Sequence, residues 1–255
     1  MSSVAAVHYP STLVDNVFGL LDSVDFRRAD DEDEREAIFR LRHRAYLEEG
    51  AIEASPDNRF TDPYDETGNC WIFGLHLDGK LVSSIRLHVA TSDFPEMPSL
   101  SVFKDQLQPE LDAGKIIVDP TRHVVDREET QKHPHLVYLT MRLAWTAAEY
   151  FQSEIVLAAV RTEHQAFYKR IFGHRIVCPE RCYPLLEKPI SLMTLDYLAN
   201  RDRVNARYPF FRSTYFERRM LFERLQNDNT KSARHGLAAP MIDDEAAASL
   251  QAKAV

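Results

Sequence analysis

The sequence lacks most of the features that assign a function at first sight. It has no run of about 18 apolar residues, which excludes a membrane-spanning helix of the usual kind. Its first residues show no basic stretch leading into an apolar one, so the expectation is a cytoplasmic protein that is not secreted. Cysteine is scarce. Cys70, Cys178 and Cys182 leave one thiol over in any full pairing, as expected in a reducing compartment. Cys178 and Cys182, with His174 nearby, have an atypical spacing for zinc and no second cysteine pair, so no metal is expected. There is no Gly-x-Ser-x-Gly elbow, phosphate loop or dinucleotide fingerprint. Positive charge is short as well, and a net charge of −8 argues against nucleic-acid binding.

The charge deficit is uneven. Residues 161–224 hold 13 Lys and Arg against 7 Asp and Glu. A basic surplus inside an acidic chain marks either a docking face for an acidic partner or the solvated faces of amphipathic helices. With 255 residues, 44% of them hydrophobic and 27% charged, the chain has enough apolar material for one sizeable core.

The pattern divides into an N-terminal extension over 1–22, a main domain over 23–226, and a polar, alanine-rich tail over 227–255 expected to be mobile. Leu13, Val17, Leu20 and Leu21 have helical spacing, so the extension either packs on the domain or lies on a partner, a membrane surface included. A weak strand at 24–29 leads to a helix opened by Asp30 and Asp31 and stopped by Gly50. On that helix Ile38, Leu41 and Ala45 form one stripe, and Phe39, Arg42 and Tyr46 a second. The segment 51–68 is irregular. Two strands, 71–77 and 81–89, join at Asp78-Gly79, a hairpin signal. In the second of these, Ile85, Leu87 and Val89 face one way, and Ser84, Arg86 and His88 the other. A connector with a short helix near 103–111 precedes a strand at 116–126. Next come a long helix from His133-Pro134 to about Tyr150, a strand at 154–160, a helix at 163–172 and a strand opening at 175. A loop over 179–189, a strand at 190–198 and a basic-aromatic helix at 208–225 complete the pattern. No internal repeat is present.

The strand Ile116-Ile117-Val118-Asp119-Pro120-Thr121-Arg122-His123-Val124-Val125-Asp126 is the most informative stretch. A core strand has no structural use for Asp119 and Arg122, because a buried charge costs several kcal/mol unless it is paired or employed. Pro120 cannot donate to a ladder, so it belongs at a bulge or an unpaired edge. A charged pair at a strand break points to a site.

The order strand, helix, hairpin, strand, long helix, strand, helix, strand, strand gives an α+β class with a mixed, mostly antiparallel sheet flanked by helices. It is also the order of the GNAT-like N-acyltransferase fold. Several motifs together resemble the N-acyl amino acid synthases and the related acyl-homoserine lactone (autoinducer) synthases. These are Arg42-x-x-x-Tyr46, Asp62-Pro63-Tyr64-Asp65, Ile85-Arg86-Leu87 and the strand from Asp119 to Asp126. Phe167-Tyr168-Lys169-Arg170-Ile171-Phe172-Gly173-His174 and Tyr183-Pro184-Leu185-Leu186 are closer to the N-acyl amino acid synthases. The likeness covers roughly 24–225. The departures are Asp119 where the lactone family usually has Glu, His123 in place of an aromatic, and no tryptophan in the helix-to-loop segment.

The resemblance implies an N-acyltransferase that moves a fatty acyl group from an acyl carrier protein to the α-amine of an amino acid. Such a transfer needs a deprotonated amine, preset oxyanion donors and an apolar trench. Asp119 is the candidate base, directly or through water, unless it is bridged to Arg122 or Arg86. His123 is a second candidate for proton transfer. Arg42, Tyr46, Asp62, Asp65 and Arg86 are expected in an acceptor-side network with Arg122, in which Arg86 or Arg122 would bind the acceptor's carboxylate. The connection 125–134 has no glycine and three acids, which suits an acyl-phosphopantetheine arm better than the pyrophosphate of acyl-coenzyme A. No tightly bound cofactor is expected. Lys169, Arg170, Arg175 and Arg181 are candidates to meet the acidic carrier protein. The alternatives are a lactone synthase that uses S-adenosylmethionine and a catalytically silent module that binds an acyl chain or its carrier protein.

Overall fold

Short polar side chains start most of the helices in the computed structural model, which describes residues 12–224. Thr12 and Asp15 form a capping box at α1 (Leu13–Leu21). Asp31 accepts the N–H of Glu34 at α2 (Glu32–Glu48), whose first turn is acidic, as the helix dipole favours. Gly50, at φ +59°, supplies the left-handed residue that ends this helix. Between β2 (Cys70–Leu77) and β3 (Lys80–Ala90), Asp78 and Gly79 have φ of 51° and 79°, as a type I′ hairpin requires.

The remaining elements are β1 (Val24–Arg28), α3 (Pro98–Asp112), β4 (Ile117–Val125), α4 (Arg127–Lys132), α5 (Leu136–Tyr150) and β5 (Ile155–Val160). After them come α6 (Gln165–Ile171), β6 (Arg175–Arg181), β7 (Ile190–Asp196), α7 (Tyr197–Arg207) and α8 (Tyr215–Phe222). Among the described residues, one sheet holds seven strands in the order β1-β2-β3-β4-β5-β7-β6, with only β4 and β5 parallel. The expected α+β architecture is therefore present.

The two faces of β3 divide the molecule. Ile85, Leu87 and Val89 join Leu136, Leu139 and Leu143 of α5 in the larger core. Arg86 and His88 lie on the other face, beneath α2 and the loop that follows it. Val17 of α1 is fully buried in the larger core, so the N-terminal helix packs on the domain. No helix among the described residues is long and apolar enough to cross a membrane.

The sheet parts between β4 and β5, which pair only at Ile117↔Ile155 and Val118↔Val156. The cause is local. The carbonyl of Ile116 accepts from Glu154 and Ile155, so strand alternation turns the backbone of Val118 and then Pro120 toward β5. Pro120 has no N–H to continue the ladder. Beyond it, Ile85 of β3 faces both Arg122 and His123, a bulge at which Arg122 adopts φ +52°.

Four expectations change. The strand at 190–198 ends at Asp196, because its carboxylate caps α7 by accepting the N–H of Ala199. The helix expected at 208–225 starts only at Tyr215, after the 3-10 turn Pro209–Phe211 and the cap Thr214. Its expected end at Leu225 and the tail 227–255 lie outside the described residues. β6 runs on to Arg181 through Pro179, which an edge strand tolerates. The connector after β4 contains α4, capped by Asp126.

Candidate functional site

The loop after α2 is shaped by its own aspartates. Pro63 opens a 3-10 turn, Pro63–Glu66, in which Asp62 caps the N–H of Tyr64 and Asp65 returns to the N–H of Asp62. The oxygens left over turn inward. Asp62 receives Nη1 and Nη2 of Arg86 at 2.6 and 3.2 Å, and Nη2 of Arg122 at 2.6 Å. Asp65 receives Arg42 at 2.8 Å and Arg86 at 3.0 Å on one oxygen, and Thr61 on the other. Arg42, Asp62, Asp65, Arg86 and Arg122 therefore meet in one hydrogen-bonded network.

Burial alone would raise both carboxyls, but the surrounding guanidinium groups outweigh it and hold Asp62 and Asp65 below the usual carboxylate range. Three guanidinium groups meet two carboxylates here, leaving one excess positive charge nearly sealed from water. The arginines are not equivalent. Arg86 is fully buried and all its nitrogens are committed, Nε to Thr121 and the others to aspartate. Arg122 uses Nε and Nη2 on Asp62 and stacks on Phe60, 4.2 Å from the ring centre, with Tyr46 and Tyr183 at 5.6 and 5.8 Å. Its Nη1 makes no hydrogen bond among the described residues, so of the two carboxylate binders expected, Arg122 has the free donor.

Asp119 bridges to neither Arg122 nor Arg86. Its two oxygens accept the N–H and the hydroxyl of Ser99, at 3.0 and 2.8 Å, so it anchors the start of α3, where Met97 offers no side-chain cap. Burial pushes its carboxyl upward. Its neighbour across the sheet, His88, meets the carbonyl of Tyr64 and the hydroxyl of Thr67 through Nε2. His123 is half-buried at the bulge, and its Nε2, sealed from water, has no hydrogen-bond partner.

Burial lowers His88 to about 3, His123 to about 4 and His174 to about 3. The unfolded chain takes these protons near pH 6.5 and the folded chain does not, so stability is full above that pH and falls below it. The predicted loss is on the order of 2 kcal/mol per histidine by pH 5. Urea midpoints that stay flat from pH 7 to 5 would refute this.

The expected docking residues do not form a single cluster. Lys169 and Arg170 are exposed on α6 and Arg175 on β6. Arg181 is tied to Asp105 at 2.6 and 2.8 Å and to the carbonyl of Val102, which makes it a brace between β6 and α3. A cleft of about 260 Å³ is lined in part by His43, Ile52, Arg59, Phe60 and Leu186. Cys178 is buried and Cys182 exposed, and no group among the described residues could hold a metal.

Ser99, Thr121 and Phe60 also belong to the site, and among them only Ser99 carries a sequence signal, in the helix-opening Pro98-Ser99. His88 shares the strand face of Arg86, as the alternation of β3 predicts.

A protein-family model described as "N-acyl amino acid synthase FeeM" matches residues 37–196. The solved structure of FeeM, from uncultured soil microbes, is 18% identical, with a TM-score of 0.59 over 70% of this chain and 93% of FeeM. BjaI, described as a CoA-dependent acyl-homoserine lactone synthase, is 19% identical, with a TM-score of 0.52 over 89% of this chain and 99% of its own. LasI, an AHL synthase, is 14% identical, with a TM-score of 0.50 over 70% and 94%. Comparison with curated proteins finds no match. These structural likenesses give the fold, a GNAT-like N-acyltransferase sheet.

Proposed function

The chain belongs to the N-acyl amino acid synthase family and is an acyltransferase, and from that premise we propose that it works in the cytoplasm and joins a fatty acyl group, delivered on acyl carrier protein, to the α-amine of an amino acid. The observation that carries this reading is the excess guanidinium charge beside the parted strands. A buried positive charge with an uncommitted donor suits an acceptor that brings a carboxylate. The acceptor would place that carboxylate on Nη1 of Arg122 and its amine toward the gap between β4 and β5. The thioester would enter the gap, where unpaired backbone N–H groups can meet the developing oxyanion.

α4 supports one kind of donor. Asp126 accepts the N–H groups of Glu128 and Glu129, at 3.1 and 3.4 Å, in the segment where a pyrophosphate cradle would need them free. An anionic side chain holding those donors supports a carrier-protein thioester over acyl-coenzyme A. Lys169 and Arg170 lie on the helix that follows the open edge of β5, a suitable place for an acidic carrier.

The test is purified protein with medium- and long-chain acyl carrier protein thioesters and a mixture of amino acids, with thiol release and N-acyl products followed by mass spectrometry. An N-acyl amino acid is the expected product. A lactone formed from S-adenosylmethionine would replace this reading with that of a lactone synthase. Carrier-protein binding without thiol release would make the chain a binding module. Lys169→Glu combined with Arg170→Glu should lower kcat/KM about tenfold more with the carrier-protein donor than with a short pantetheine thioester. Equal losses would remove α6 as the docking face.

A further inference from the structure

Three backbone N–H groups build the cleft that Phe60 lines. Glu187 donates to the carbonyl of Ala51 at 3.1 Å, Phe60 to the carbonyl of Phe39 at 3.1 Å, and Ser55 to Nε2 of His43 at 3.2 Å. The first ties the loop after β6 to the loop after α2, and the other two tie that second loop to α2 itself. The bond from Ser55 also fixes a tautomer. A ring nitrogen that accepts carries no proton, so the proton of His43 is on Nδ1. His43 is only 3% exposed, and its Nδ1 has no hydrogen-bond partner among the described residues. Unlike the orphaned nitrogens of His88, His123 and His174, this Nδ1 is not sealed from water. His43 lines the cleft, and that is where its free donor meets solvent. A free donor on a buried side chain calls for a reason, and a ligand oxygen is one.

Phe60 joins this cleft to Arg122. Its ring centre lies 4.2 Å from the Arg122 guanidinium, and the same residue forms part of the cleft wall. Tyr183 flanks that guanidinium at 5.8 Å, and Pro184, next in the chain, lines the cleft. The remaining lining sorts ligands by charge. Glu53 and Glu187 are acids, whereas the arginine among them, Arg59, is ion-paired with Glu36 at 2.8 Å, so an anionic end would be repelled. A cationic end would leave the His43 donor unpaired. On the premise of the acyl transfer proposed above, we infer that this cleft takes the acceptor's side chain and that His43 selects one ending in a carboxamide, as in glutamine. The carboxamide oxygen accepts the Nδ1–H of His43, and its N–H groups suit the carboxylates of Glu53 and Glu187. Its methylene groups run past Phe60, and the α-carboxylate rests on Arg122.

Glutamine, methionine, glutamate and lysine have unbranched side chains that differ chiefly in their ends. Offered together at equal concentration with carrier-protein thioester, they should give N-acylglutamine in about tenfold excess over each of the other products, the worth of one good hydrogen bond. His43→Phe keeps a ring and removes the donor, and it should bring the glutamine-to-methionine product ratio to about one by raising KM for glutamine. Because the acceptors compete for the same enzyme, a loss of folded protein lowers both products together and leaves the ratio unmoved. His43→Gln, whose amide is able to accept from Ser55 and donate into the cleft, should hold the ratio above about threefold. If the wild-type chain forms another of the four products as readily as N-acylglutamine, or if His43→Phe keeps the wild-type ratio, the inference is overturned while the acyl transfer stands. If the wild-type chain forms no N-acyl product from any amino acid with any donor, both readings fail together.

Discussion

Replacing Arg122 by Gln is expected to lower kcat/KM for the acceptor about a thousandfold, mainly by raising KM. Truncating one partner of a buried, hydrogen-bonded charge pair costs about 2–5 kcal/mol, and about 4 kcal/mol corresponds to three orders of magnitude. The split between KM and kcat follows from geometry. Arg122 is pinned by Asp62 on one edge and by the Phe60 ring on one face, so its remaining donor, Nη1, is held in place before any acceptor arrives. That donor would bind the carboxylate in ground state and transition state alike, and uniform binding of this kind appears in KM. The fold should persist, since Asp62 keeps both hydrogen bonds from Arg86 and Gln can hold φ +52° no worse than Arg. Arg122→Lys should fall between the two, because an ammonium keeps the charge without the planar fork. Steady-state kinetics with the acceptor varied decides the matter. A fall in kcat at constant acceptor KM would move Arg122 to the thioester side.

What could be read from sequence and what could not divide along physical lines. Local chemistry was legible. Asp31, Gly50 and Asp78-Gly79 act on their immediate neighbours, and the elements they bound appear where expected. The parted sheet was legible too, because a proline in a strand has few places to be. The charged network was anticipated in membership through its motifs, but not in wiring. Asp119 and Arg122 are three residues apart on one strand, yet they serve different partners, Ser99 and Asp62, because a bulge and two separate helices intervene. No local pattern encodes which acid a buried guanidinium will choose. Phe60 had no signal at all, since its place on Arg122 depends on the path of an irregular loop. Arg181 looked like a free surface charge for a similar reason. Its partner Asp105 lies on a helix distant in sequence, brought beside β6 by the packing of α3 on the sheet.

Asp65→Asn is expected to produce the largest loss of stability of any single substitution in the site. Asp65 stands between Arg42 and Arg86, both fully buried, and it is the only acid that Arg42 touches among the described residues. An ion-paired cluster of this kind adds little net stability when intact, because desolvation offsets attraction. Breaking it is another matter. An amide in place of the carboxylate leaves the Arg42 guanidinium buried without a counter-charge, and such losses run to about 3–5 kcal/mol. In a chain of this size that is a drop of roughly 10 °C in melting temperature. The pH dependence identifies the cause. The folded-state pKa of Asp65 lies below its unfolded value, so its contribution is complete above about pH 4 and is lost as pH falls further. The gap between wild type and variant should therefore stay constant from pH 7 to 5, where both lose the same histidine-linked stability, and should narrow below about pH 4. Urea melts across that range measure it. A gap of less than 1 kcal/mol at pH 7 would mean that Arg42 finds another partner when Asp65 is neutralised. A gap that does not change with pH would assign the loss to packing rather than to charge.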